Sequence, residues 1–273
     1  MRPIWKGAIT FGLISIPVRL YSAVQEKSLK FHLLHEADGG RIKYKRECAK
    51  CGEEVGWDDI VKGYEFEKDR YVQFSDEELQ ALEVDSIKAI DVVAFVPLEE
   101  IDPIYFNKTY FVAPEPSGIK AYRLLAEALQ AEGQVGVAKV ALREKEHLAT
   151  IRLKDDVFVI ETMHWPDEIR APEFEELDKQ IDLRDSEIKM ARQLIQQLAD
   201  SFKPDEFADE YRERLQELAE KKIEGEEVTI AAAPEEEPAP VVDLMEALKA
   251  SVAEAKRKKP PSKKTAKRRA SAS

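Results

Sequence analysis

The chain has 273 residues, 44% of them hydrophobic, which is enough for one sizeable core with appendages or for two small domains. No apolar run reaches 18 residues, which excludes a membrane span, and Met1-Arg2-Pro3-Ile4-Trp5-Lys6 lacks the apolar stretch of a signal peptide, so the expected location is the cytoplasm. The formal net charge of −12 argues against a protein whose bulk field gathers nucleic acid.

Strand signals dominate the first half. Apolar residues fall on odd positions in Ile9-Thr10-Phe11-Gly12-Leu13 and on even ones in Ile14-Ser15-Ile16-Pro17-Val18-Arg19-Leu20. This change of phase beside a glycine predicts a β-bulge or a sharp bend near Gly12, with Pro17 at an edge or bulge because it cannot donate to a ladder. Phe31-His32-Leu33-Leu34-His35 and the turn Asp38-Gly39-Gly40 lead to a predicted strand over 41–45, with Arg41, Lys43 and Lys45 on one face and Ile42 and Tyr44 on the other. Ser75-Asp76-Glu77-Glu78 reads as a capping box opening a short helix. Strands are predicted over 87–96 and 104–112, then a helix after Ser117-Gly118 with Tyr122, Leu125 and Leu129 on one face and Gly133 closing it. Candidate strands 137–142, 148–153 and 157–163, joined by short links, form an antiparallel meander, and many strands with few helices between them point to a barrel. After Asp185 the period becomes helical. Ile188, Ala191, Ile195 and Leu198 mark one helix, and a second is predicted from Pro204 with Phe207, Tyr211, Leu215 and Leu218 on its apolar face, ended by Gly225. Residues 226–240 read as an acidic linker, and Val241, Leu244, Leu248 and Val252 form a last amphipathic stripe.

Charge is segregated along the chain. Nine of the 42 basic residues fall within 256–273 (Lys256, Arg257, Lys258, Lys259, Lys263, Lys264, Lys267, Arg268, Arg269), and no acidic residue does. Residues 1–255 therefore hold 33 basic and 54 acidic residues, a net of −21. A flexible basic tail binds polyanions without sequence preference, whereas any site on the body must be a local concentration of cations. The densest such group is Arg41, Lys43, Lys45 and Arg46, which reads either as a solvated strand face or as a track for a phosphate backbone. Catalytic signatures are absent: there is no phosphate-binding Gly-rich loop, no G-x-S-x-G and no H-E-x-x-H, and His32, His35, His147 and His164 sit in unpromising contexts. Cys48 and Cys51 form one C-x-x-C, half of a zinc site. Its remaining ligands would be His32 and His35 or the same cysteines of a second subunit, and the alternative is a metal-free reduced turn.

These segments taken together resemble the bacterial Ku proteins. The likeness runs through Ile4-Trp5-Lys6-Gly7-Ala8-Ile9-Thr10-Phe11-Gly12-Leu13, Pro17-Val18-Arg19-Leu20-Tyr21, Phe31-His32-Leu33-Leu34-His35, Gly40-Arg41-Ile42-Lys43-Tyr44-Lys45-Arg46 and the cysteine pair. It continues through Ile101-Asp102-Pro103-Ile104-Tyr105-Phe106, His164-Trp165-Pro166-Asp167-Glu168-Ile169-Arg170, Tyr211-Arg212-Glu213 and Val242-Asp243-Leu244-Met245-Glu246-Ala247-Leu248, nearly the whole chain in family order. The resemblance implies a mainly β fold with α, built as a Ku-type β-barrel core with a bridging arm over 1–185. A helical arm over 186–225, the acidic linker 226–240, a partner-docking helix over 241–255 and a disordered basic tail over 256–273 would follow. It also implies homodimers that close a ring around double-stranded DNA ends, act in non-homologous end joining near the nucleoid, and recruit and stimulate the ATP-dependent DNA ligase D. The expected DNA contacts are Lys6, Arg19, Arg41, Lys43, Lys45 and Arg46 together with the nine tail cations. The expected partner contacts are Val241, Leu244, Met245, Leu248 and Val252, with Cys48 and Cys51 as the candidate zinc ligands. The competing expectation is an adaptor that docks a repair partner through its C-terminal helix and touches DNA only incidentally.

Overall fold

The structure is a computed structural model that describes residues 1–81, 88–142, 145–179, 181–225 and 244–258. It divides into two compact units, residues 1–172 and 173–273.

The first unit is built on a closed seven-stranded barrel. Its strands are β1 (Trp5–Phe11), β2 (Ile14–Ser22), β5 (Ala89–Pro97), β6 (Phe106–Pro114), β7 (Gln134–Leu142), β8 (Lys145–Lys154) and β9 (Val157–Met163), in the order β1-β2-β6-β9-β8-β7-β5. Every pairing is antiparallel except the closing one, where β1 and β5 run parallel. Alternation sends Ile9, Ile16, Val18, Leu20, Ile90, Val112, Val140, Ile151, Phe158 and Ile160 into a single core. The helix α2 (Ile119–Glu132) packs Tyr122, Leu125 and Leu129 onto that core, the face its 3–4 spacing predicts. It ends at Gly133, whose left-handed φ of 65° lets its N–H reach the Leu129 carbonyl.

The phase change near Gly12 is a full chain reversal rather than a bulge. Phe11 pairs with Ile14, so Gly12 and Leu13 alone make a hairpin turn, with Gly12 at φ +56°. A two-residue turn returns the chain on the neighbouring strand, which inverts the odd-even count. Pro17 faces Ala8 of β1 and precedes the β2–β6 ladder, which begins at Val18, so its missing donor breaks no bond to β6.

Between the second and third barrel strands the chain leaves the barrel as an exposed arm. The arm holds the hairpin β3 (Lys62–Glu67) and β4 (Arg70–Phe74), then α1 (Asp76–Ala81). The capping box forms: the Ser75 N–H donates to Glu78 Oε2 (2.8 Å), and the Glu78 N–H donates to Ser75 Oγ (3.1 Å). The predicted strand 41–45 does not form. The segment makes one bridge, Leu34–Arg41, around the Asp38-Gly39-Gly40 turn, with the Ile42 N–H donating to the Leu33 carbonyl, and Ile42 and Tyr44 stay exposed, so among the described residues no surface holds a second strand face.

The second unit contains α3 (Asp185–Leu198), α4 (Glu210–Ile223) and α5 (Leu244–Lys258), with α5 packed along α3. Two expectations change here. Of the expected stripe, Ile188, Ile195 and Leu198 are exposed, and Ala191 alone lies on the covered side of α3, together with Met190 and Leu194. The helix expected from Pro204 begins at Glu210, because Asp209 caps it by accepting from the Arg212 N–H at 3.0 Å, and Phe207 and Tyr211 lie exposed. The linker 226–240, Val241 and tail residues 259–273 lie outside the described residues.

Candidate nucleic-acid interface

Two groups of expected DNA contacts fall on different parts of the first unit. Lys6 and Arg19 are cross-strand partners on β1 and β2, on the face opposite the core residues Ile9, Val18 and Leu20. Arg19 is compensated, with its Nε 3.3 Å from Glu115 Oε1, whereas Lys6 makes no ion pair among the described residues. The other group lies on the arm, where residues 41–46 are all exposed. Lys45 donates from Nζ to Glu54 Oε2 at 2.7 Å, and the Arg46 guanidinium stacks over the Trp57 ring at 4.0 Å. Arg41 and Lys43 have no carboxylate partner among the described residues, which leaves them the freest cations of the cluster.

The partners of Lys45 and Arg46 come from a small hairpin. Cys48 N–H donates to the Glu53 carbonyl and Val55 N–H to the Arg46 carbonyl, which folds 46–55 back on itself and brings Glu54 beside Lys45. Glu54 and Trp57 are the functional neighbours that the sequence reading missed. The register of a hairpin with a four-residue cysteine turn was the only signal able to find them.

That turn also sets the cysteine chemistry. The Cys51 and Lys50 backbone amides donate to the Cys48 sulfur, with help from the Cys51 side chain, and hold its thiol below the ordinary cysteine value. Backbone amides converging on one sulfur favour a thiolate, the form that binds metal. No group of three or more His, Cys, Asp or Glu side chains stands within metal-binding reach among the described residues, so His32 and His35 do not complete the pair within one protomer. His35 instead places Nδ1 3.0 Å from Asp38 Oδ1. A four-coordinate ion would need two ligands beyond these two thiols, from outside the described residues of one protomer.

On the rest of the barrel wall, the ion pairs are satisfied locally. Arg152 and Glu161 form a bidentate pair across β8 and β9 at 2.7 and 2.8 Å, and Lys139 lies 3.5 Å from Glu146 with its ammonium over the Trp165 ring. Of the expected partner contacts, Met245 and Leu248 are half-buried and Val252 is buried, and the side chains of Val241 and Leu244 lie outside the described residues. Of the tail, only the backbone of Lys256, Arg257 and Lys258 is described, as the last turn of α5.

A closed barrel with one helix on its core and a long exposed arm inserted after its second strand defines a Ku-type β-barrel protein, and the family model for the Ku70/Ku80 beta-barrel domain matches residues 10–190. Three curated relatives bear the name non-homologous end joining protein Ku. The one from Frankia casuarinae is 47% identical over 260 residues, which cover 95% of this chain and 65% of the relative, just under two thirds of its length. The Desulfitobacterium hafniense protein is 45% identical over 260 residues, covering 95% and 90%, and that of Mycobacterium tuberculosis 40% identical over 259, covering 92% and 95%. The chain belongs to the Ku family of bacterial non-homologous end joining proteins.

Proposed function

We propose that the chain is a non-catalytic clamp for double-stranded DNA ends in non-homologous end joining, working as a homodimeric ring and docking ATP-dependent DNA ligase D through α5. The observation that carries this reading is the arm. Between the second and third barrel strands it exposes Phe31, Tyr44, Trp57, Tyr64 and Tyr71 at 58–82% of their surface, on the same segment as Arg41 and Lys43. Apolar surface on that scale marks an interface, and an arm that leaves the barrel after β2 and returns at β5, two strands that both flank β1, is well placed to reach a second copy. Two copies whose arms meet across a duplex would enclose it and present Arg41 and Lys43 to phosphates, which yields binding without base readout. The body's net charge of −21 then works for selectivity, since duplex DNA is repelled everywhere except along the enclosed cations.

The test is topological. A ring that must be threaded binds a linear duplex, stays on it when the ends are ligated shut, and ignores a covalently closed circle of the same sequence. Equal affinity for linear and circular DNA in a mobility-shift titration overturns the reading.

A further inference from the structure

The described part of the apolar stripe expected to dock a partner is already seated within the protein. On α5, Met245 and Leu248 are half-buried and Val252 is only 8% exposed, while Glu246, Ala247, Lys249, Ala250, Ser251 and Ala253 face solvent. Spacings of three and four put the three covered residues on one helical face. The element against that face is α3, whose covered residues Met190, Ala191 and Leu194 keep the same helical spacing. Ile188 and Ile195 of α3, 43% and 68% exposed, stand about a quarter-turn or more away from that seam, so α3 carries two apolar stripes and α5 occupies one of them.

We propose that α3 is the resting seat of the docking helix, so that α3 and the protein partner compete for the same face of α5. The inference rests on the docking role proposed above. Met245, Leu248 and Val252 together make one helix-wide contact, and Val252, at 8% exposure, has almost no surface left to offer while α5 is seated. Docking through Met245, Leu248 and Val252 therefore requires α5 to leave α3. The seat is part of the same chain, tethered through residues 226–243, and acts at a high effective concentration. The partner's apparent affinity is then reduced by the fraction of chains in which α5 is released.

Two substitutions in the full-length chain separate seat from stripe. Leu194→Glu breaks the seat and leaves the stripe whole, whereas Leu248→Glu breaks the stripe itself. Amide exchange over residues 245–252 should be slow in the wild-type protein and fast in Leu194→Glu. Leu194→Glu should bind ligase D about tenfold more tightly, and Leu248→Glu about tenfold more weakly. Met190→Ala, a gentler cut at the same seat, should move exchange and affinity in the same directions by a few-fold, so the outcome does not hang on one drastic change. If Leu248→Glu weakens binding while Leu194→Glu and Met190→Ala leave it unchanged or weaken it too, competition is overturned and docking stands. If Leu248→Glu leaves ligase binding untouched, the docking role fails and this inference fails with it.

Discussion

The hydroxyl of Tyr122 sits inside a rung of the barrel ladder. Val112 on β6 and Phe158 on β9 are register partners, both fully buried, and between them the phenol donates to the Val112 carbonyl at 2.7 Å and accepts from the Phe158 N–H at 2.7 Å. One side chain thus pins α2 to two strands, and its ring packs edge-on against Phe158 at 4.6 Å. Tyr122→Phe keeps the ring and strands one buried donor and one buried acceptor, so it should cost about 2–3 kcal/mol in urea unfolding. Burial raises the phenol above its ordinary value, and the Phe158 N–H only partly offsets this. The folded state therefore holds this proton more tightly than the unfolded state does. The resulting stability is complete below about pH 10, the ordinary phenol value, and is lost as pH climbs through the raised one. The difference in stability between wild type and Tyr122→Phe should hold steady up to about pH 9 and shrink above it. A difference that stays constant to pH 11 would contradict this account.

Closure of the barrel depends on one glycine. At Gly7, where β1 meets the start of β5, a Cβ would stand 1.8 Å from the Lys88 carbonyl oxygen and 2.2 Å from the Trp5 ring, and that carbonyl accepts the Ala8 N–H at 2.9 Å. Gly7→Ala must push apart the only parallel seam of the sheet, and should lower stability by about 2 kcal/mol or more by calorimetry, while Gly12→Ala, in open space, suffers only the strain of its φ of +56°. The sequence does not disclose the need at Gly7, because a close approach between residues 81 apart, Gly7 and Lys88, leaves no local trace. Burial decides what else was legible. Strands β5 to β9 and α2 could be read because one side of each faces the core and stamps its period on the residues. The β3–β4 hairpin escaped notice because both of its faces are exposed and no period is imposed. On α3 the opposite difficulty arises: Met190 with Leu194 and Ile188 with Ile195 each make a helical stripe, and only the position of α5 selects the first. Of the candidate interface, the cluster 41–46 was plain from its charges. The quenching of Lys45 by Glu54, nine residues on, was not, since the register of a loop hairpin sets it.

For the whole molecule, affinity for DNA and preference for ends should have separate physical origins. On the proposed reading the nine cations of 256–273 would supply a sequence-blind attraction, and if all of them engaged B-DNA they would contribute at most about 8 to the log–log salt slope through counterion release. In the proposed clamp, end preference would depend instead on enclosure by a body of net charge −21, which repels a duplex that has not been threaded. Truncation after residue 255 removes the first and leaves the second. The truncated protein should bind linear duplex more weakly at 50 mM salt, with a slope reduced by up to about 8, and its ratio of linear to circular binding should be unchanged or higher. The ratio rises if the tail gives the intact chain a weak, topology-independent hold on circles, because that hold disappears with it. Mobility-shift titrations of both proteins on both DNA forms, at three or more salt concentrations, measure slope and ratio together. If truncation abolished the preference for linear DNA, end selection would reside in the tail and the enclosed arm cations would not be the site.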